Sequence, residues 1–387
     1  MKELQNIIEA FAKVQREAAT AVLATVVKVS GSTYRRAGAR MFITQDGQTI
    51  GTVSGGCLER DVFKHAAEVL QTNEPRLVTY DSTSDDDIVW GFGLGCNGAV
   101  DVLIEPLSGE CAQSQLDFLS DCMRLREEGV IATVFAVEGD TGVKIGSRLM
   151  MRSGQQPVTC DIVDDDPGSD FISAILSDSQ DVLVSCHSKL VTYEMRAGSA
   201  EAFIESIQPP VPLLVFGAGY DAVPLVQIAK ELGWYVTLVD GRPDFATQAK
   251  FPAADAFIIT RPEDVAERVQ IDRKTMAVVM THNYLDDYQL LETLLPSPAR
   301  YIGLLGPKRR TEQLLYELKK NGTAVTDEQL NRLYGPVGID IGADAPEEIA
   351  VAILAEIKTV LADRSAGLSR DRKEPLHKSI EEMTLSR

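Results

Sequence analysis

The sequence is short of the features that would tie it to a membrane, to nucleic acid or to the secretory route. Its longest apolar runs, such as "AVLATVVKV" and "VPLLVFGAG", fall well below the ~20 residues needed to span a bilayer. Basic residues are in deficit: 38 Lys and Arg against 57 Asp and Glu leave a net charge of -19. Phosphate neutralisation needs a basic surface, so neither nucleic acid nor an anionic membrane is expected as a general partner, while a local anion pocket stays open. Six cysteines over 387 residues show no regular spacing, which excludes a disulfide framework, and no CxxC or His-rich segment suggests zinc. The first residues, "MKELQNIIEAFAKVQ", read as an amphipathic helix with Leu4, Ile7, Ile8, Phe11 and Val14 on one face, not as a basic segment ahead of a signal core. The expectation is a cytoplasmic globular protein with mostly reduced thiols and, at 44% hydrophobic content, material for two or three domains.

What the chain does have is two different rhythms. Through about residue 207 the elements alternate irregularly: a strand at "AVLATVVKV", a loop at "SGSTYRRAGAR", then two strands around the turn "QDGQ", the second ending at Ser54. Leu58, Val62, Ala66 and Val69 fall at helical spacing, which leaves Gly55, Gly56 and Cys57 on a strand-to-helix turn. Residues 113–128 read as helix and about 130–195 as strand-rich, with "EGDTG" as a hairpin turn. No fixed-period repeat is evident. "SIQPPVP", residues 206–212, reads as a stiff linker.

From 211 to 362 the rhythm turns regular. "PLLVFG", "YVTLVD", "AFIIT", "MAVVMT" and "YIGLLG" alternate with helical stretches, the signature of a doubly wound parallel sheet. The first turn, "GAGYDA", matches G-x-G-x-x-A between strand and helix, and Asp240 closes the next strand. In that fingerprint Gly217 makes the tight turn, Gly219 admits a phosphate and Ala222 packs helix on strand, so a nucleotide such as NAD is a candidate ligand. The alternative is a turn that only closes the fold. Lys308, Arg309 and Arg310 open a helix at a strand end, and with Arg35 and Arg36 they are candidate anion clamps or plain solvated surface. His282 sits where an open sheet receives ligands, and Asp344 with Glu347 reads as a capping box. Residues 363–387 form a polar tail.

Two cysteines stand apart. Cys57, behind Gly55 and Gly56 and ahead of a helix, lies where backbone N–H groups stabilise thiolate, making its sulfur available as nucleophile or metal ligand. Cys96, in "GFGLGCNG", has little side-chain bulk around it. Each could instead be a small buried hydrophobe, the reading given to Cys111, Cys122, Cys160 and Cys186.

"GSTYRRAGARMFITQDGQTIGTVSGGCLERDV", the Gly-Cys loop before "DVLIEP", "FGAGYDAVPL", "VDGRPDFA", "GLLGPKRRTEQL" and "GPVGIDIGADAPEEIAVAILAEI" together resemble the XdhC/CoxI family of xanthine dehydrogenase accessory factors. The resemblance spans both halves. It implies an N-terminal mixed α/β cofactor-binding domain over 1–207 and a Rossmann-like domain over 211–362. It further implies an accessory factor that binds molybdenum cofactor, supports its sulfuration by a cysteine desulfurase, and passes it to a xanthine dehydrogenase-type molybdenum hydroxylase. Such a protein is a cofactor chaperone more than a catalyst. Cys57 and Cys96 would then contact molybdenum, since soft thiolate suits such a centre. Gly55 and Gly56, or Gly217 and Gly219, would meet the phosphate tail. Two other readings stay open: an NAD-dependent oxidoreductase using Asp240, for which no acid–base pair is identifiable, and a scaffold between desulfurase and client. The pterin form and a homodimeric state are left open.

Overall fold

The computed structural model describes residues 1–17, 19–81, 98–162 and 171–373. The chain divides into two compact units at Pro209 and Pro210.

The first unit opens with α1 (Lys2–Arg16), whose Ile7, Phe11 and Val14 are buried. It continues through β1 (Ala21–Gly31), β2 (Arg40–Thr44), β3 (Thr49–Gly51), α2 (Glu59–Thr72), β4 (Arg76–Asp81) and β5 (Gly98–Pro106). Then the order recurs. Helix α3 (Gly109–Leu125) leads to β6 (Gly129–Gly139), β7 (Arg148–Arg152), β8 (Val158–Cys160), α4 (Phe171–Ser185), β9 (Lys189–Met195) and β10 (Gly198–Ile207). The two antiparallel sheets have strand orders β3-β2-β1-β5-β4 and β8-β7-β6-β10-β9, one the copy of the other.

No fixed period marks it in the sequence, yet the first unit is built twice. The unit is a duplicated fold, and the copies agree in detail: Gly38 N–H donates to Val26 C=O at 2.8 Å and Gly146 N–H to Val134 C=O at 2.8 Å. A trace survives in "AVLATVVKVSG" and "GVIATVFAVEG", the sequences of β1 and β6. Two copies joined by loops of unequal length present no period to find. The stretch 130–195 is also less uniform than expected, because it contains α4, and β3 ends at Gly51 rather than Ser54.

The copies are locked by crossed ion pairs. Arg40 of β2 binds Glu205 of β10, with Nη1 donating to Oε1 at 2.9 Å, while Arg148 of β7 binds Glu105 of β5. In each copy the same nitrogen, Nη1, also donates at 3.0 Å to the carbonyl two residues back, Gly38 or Gly146. The Arg148–Glu105 pair is buried and the Arg40–Glu205 pair nearly so, with Arg side chains 7% exposed in each and the Glu205 side chain 12% exposed.

The second unit is Rossmann-like. Its parallel sheet has the order β13-β12-β11-β14-β15-β16, from strands β11 (Pro212–Phe216), β12 (Tyr235–Asp240), β13 (Ala256–Ile259), β14 (Met276–Val279), β15 (Tyr301–Leu304) and β16 (Leu333–Tyr334). Period-two alternation covers both faces. Leu213 and Val215 of β11 pack with α5 (Ala222–Glu231) and α8 (Pro346–Leu361), whereas Leu214 and Phe216 face α6 (Tyr284–Leu294) and α7 (Lys308–Lys320). The first turn of α8 is capped one residue later than the sequence pattern suggests, because it is Glu348, not Glu347, that accepts from the N–H groups of Asp344 and Ala345. The expected linker shrinks to Gln208–Val211, since β10 runs to Ile207.

Replacing Arg40 by Leu leaves Glu205 nearly buried and unpaired and should cost about 3–5 kcal/mol, while the Arg40→Leu, Glu205→Leu pair should recover most of that loss. Urea denaturation of the two variants against the parent checks this; a double variant as unstable as the single one would show that the pair does not act as a unit.

Candidate functional site

Between β3 and α2, Val53 and Leu58, at 1% and 3% exposure, pin the two ends of the connection. The three residues spanning the gap, Gly55, Gly56 and Cys57, all face solvent. The expected strand-to-helix turn is therefore present, and Cys57 is not a core thiol.

One hydroxyl organises the turn. Ser54 Oγ accepts from the N–H groups of Gly56 at 3.2 Å and Leu58 at 3.1 Å, lies 3.5 Å from Cys57 Sγ, and donates to Glu59 Oε2 at 2.5 Å. Glu59 reaches back to accept the Ser54 N–H at 2.8 Å. This is the reciprocal logic of a capping box at a wider spacing, which is why the sequence pattern did not flag it. Burial works to raise the Glu59 carboxyl, but the Ser54 hydroxyl and N–H outweigh it and hold the group below its ordinary range. Gly56 has φ +112, a conformation L side chains avoid, and a Cβ there would meet no atom of the described residues within 4 Å.

Gly55 has a different reason. A Cβ there would meet Cγ, Cδ1 and Cδ2 of Tyr34 at 3.3, 3.4 and 3.4 Å. Arg35, the next residue along that loop, is already paired with Glu3 of α1 at 2.6 Å. Arg36 lines a cavity of about 450 Å³ beside Tyr34, together with Thr33, Arg40 and Gln208. Cys57, Gly55, Gly56, Arg35 and Arg36 are thus all placed on or next to two loops in mutual contact through Tyr34, a residue the sequence analysis passed over for its basic neighbours. Cys96 lies outside the described residues. Of the other cysteines, burial pushes the thiols of Cys111 and Cys122 up to about 12, so they stay protonated. Cys186 departs from its expected core role: it is exposed, at φ +59 just past α4. Among the described residues, no three His, Cys, Asp or Glu side chains cluster to hold a metal ion.

In the second unit the glycine turn is clamped on every side. Gly217, φ +109, lies so close to β14 that a Cβ would meet the Met280 carbonyl oxygen at 2.5 Å. Ala218 donates its N–H to Asp240 at 2.7 Å and its carbonyl accepts from Lys250 Nζ at 2.6 Å. Asp240 also takes the Arg242 N–H, Nε and Nη2 at 2.8, 2.9 and 2.7 Å. Four donors therefore fill the carboxylate expected to hold a ribose. At Gly219 a Cβ would meet Asp221 Oδ1 at 2.3 Å, and Asp221 pairs with His282 Nε2 at 2.7 Å. Ala222 is fully buried, as helix-on-strand packing requires. Lys308 and Arg309 are exposed on the first turn of α7, at the same carboxyl edge but two strands away from β11, whereas Arg310 is consumed by buried Asp287 at 2.9 Å.

Comparison with known proteins agrees with this division. Residues 14–81 match the model of the "XdhC and CoxI family" and residues 213–357 that of the "XdhC Rossmann domain". The chain is 34% identical over 357 residues to a protein of Bacillus subtilis named as a probable subunit of xanthine dehydrogenase, covering 92% of this chain and 97% of that protein. It is 24% identical over 341 residues to the molybdenum cofactor insertion chaperone PaoD of Escherichia coli, covering 88% and 83%. Among solved structures, one described as a xanthine dehydrogenase from Bacillus halodurans matches with a TM-score of 0.73 at 30% identity, over 94% of this chain and 98% of that one.

The Asp240 arrangement carries a pH signature. Burial pushes its carboxyl up, but Arg242 and the Ala218 N–H outweigh it and hold the group below the ordinary carboxylate range. Its contribution is then present above the unfolded value of ~3.9 and lost as pH falls through the lower native value. Asp240→Asn should cost about 1–3 kcal/mol near neutral pH. Read from Trp234 fluorescence in a Trp90→Phe background, the unfolding midpoints of variant and parent should converge in acid; a gap constant across the titration would contradict the assignment.

Proposed function

Since the chain belongs to the XdhC and CoxI family, we propose that it is an accessory protein of molybdenum-enzyme maturation that carries molybdenum cofactor as cargo and hands it to a molybdenum hydroxylase. The observation that carries the reading is Cys57: a thiol presented to solvent on a glycine turn and held beside the Ser54 hydroxyl. The residues fit the cargo. Sulfur is a suitable ligand for molybdenum, and a turn without side chains admits a bulky metal–pterin group where an ordinary loop would exclude it. The names of two relatives, one a cofactor insertion chaperone and the other tied to xanthine dehydrogenase, support the same direction.

In this mechanism the protein binds, shields and releases, and the cargo brings the redox chemistry. Cys57 holds the metal while Ser54 and Glu59 keep the turn in one conformation; Cys96 is a second candidate sulfur. Arg36 beside the adjoining cavity offers positive charge to a phosphate tail. A cysteine desulfurase is the proposed source of the terminal sulfur, delivered while the cofactor rests on this protein. The oxidoreductase reading has less support, because Asp240, its ribose-binding residue, is saturated by Ala218 and Arg242. Gly217 and Gly219, with Lys308 and Arg309, remain a proposed phosphate site of a separate ligand.

Cys57→Ser should lower molybdenum and pterin recovered with the protein from a molybdate-supplemented host by about tenfold or more, with the thermal midpoint unchanged. Metal analysis by mass spectrometry and pterin fluorescence after oxidation give both quantities. Equal recovery from variant and parent would remove Cys57 from the role, and none from the parent would remove the role itself.

A further inference from the structure

We propose that Tyr34 is a stacking platform that holds the flat pterin ring of the cargo next to Cys57, an inference that rests on the cofactor-carrying reading above. The ring is 73% exposed, among the most exposed large apolar side chains of the described residues. It is nonetheless applied to one surface. A Cβ added at Gly55 would meet three adjacent ring atoms at nearly equal distance, which is possible only when that position lies over the face of the ring and not its edge. One face is therefore covered by the glycine turn, two residues before the thiol, and the other is left to solvent.

The loop that carries the ring is held at both ends. Thr33 Oγ1 donates to the Arg35 carbonyl at 2.8 Å, and the Arg35 side chain is tied to Glu3 at 2.6 Å. Five residues on, Arg40 is locked into its nearly buried pair with Glu205. A ring held this way loses little freedom when a ligand settles on it, the condition under which an exposed aromatic gains most from stacking. The adjoining cavity of about 450 Å³, lined by Tyr34 and Arg36, lies within the range of pockets that take small heterocyclic ligands. A flat heterocycle on the free face of Tyr34 would lie beside the loop whose other side meets the glycine turn, with Arg36 in the adjoining cavity lining as a positive charge for an anionic substituent. Gly55 acquires a second reason to be glycine: any side chain there would push the platform away from the thiol.

The test uses the full-length protein and pterin-6-carboxylic acid, a fluorescent pterin without metal, titrated by anisotropy. Tyr34→Leu, which keeps apolar area but not the flat face, should weaken binding about tenfold to hundredfold, the range that stacking on an aromatic side chain contributes. Tyr34→Phe should bind like the parent, and Tyr34→Trp should also bind while quenching the pterin more strongly. Parent-like binding by Tyr34→Leu, or no binding by a parent that still co-purifies with molybdenum and pterin, would overturn the platform and leave the cargo reading intact. Tyr34-dependent pterin binding by a parent that retains no molybdenum would uphold the platform and overturn the cargo reading.

Discussion

The nearly buried pair between Arg40 and Glu205 is the constraint from which the geometry of the first unit follows. A charge out of water must be met by its partner at fixed geometry, so β2 can begin in only one place. The same guanidinium binds the Gly38 carbonyl, and a Cβ at Gly38 would fall 2.9 Å from Glu205 Oε1. That fixes the end of the loop carrying Tyr34, whose ring lies on Gly55, which in turn sets the turn bearing Cys57. An ion pair joining the two halves of a duplicated fold is thereby coupled, link by link, to the position of one exposed sulfur. The mirror pair, Arg148 with Glu105, closes the same lock from the other copy, and in each arginine the buried Nε has no hydrogen-bond partner among the described residues.

Duplication also accounts for where function resides. Both copies supply an antiparallel sheet with a covering helix, and both close it with the same backbone hydrogen bonds. Scaffold and site can then separate: the strands keep the fold while a connection between strand and helix in one copy takes on glycines and a thiol. At that connection Ser54 does for the backbone what a longer helix would otherwise do, collecting N–H groups that the turn leaves without carbonyl partners.

The second unit shows how a fingerprint can be met in full and still be self-contained. Gly217, Gly219, Ala222 and Asp240 sit where the pattern places them, yet Asp240 is filled by Ala218 and Arg242, and Gly217 is required by the closeness of the Met280 carbonyl. The glycines serve backbone packing first. A ligand at this edge would have to compete with donors already in place.

Local pattern carries a good part of this protein. Period-two and helical alternation give the parallel sheet and its helices because burial on each face depends on near neighbours in sequence, and the glycine–cysteine turn is legible because Leu58, Val62, Ala66 and Val69 announce the helix behind it. The family is legible too, from motifs spread over both halves. What sequence did not reveal is whatever depends on residues distant along the chain. The duplication is hidden because only two copies exist and their loops differ in length; the crossed pairs join β2 to β10 and β5 to β7; and Glu59 reaches Ser54 at a spacing no capping pattern covers. Tyr34 reads as an ordinary loop residue until the fold lays Gly55 beneath it, and Asp240 reads as a free ribose ligand until Arg242 is seen to fill it. Local pattern decides which elements form, whereas a side chain's role follows from which groups the tertiary structure brings within hydrogen-bonding or van der Waals distance.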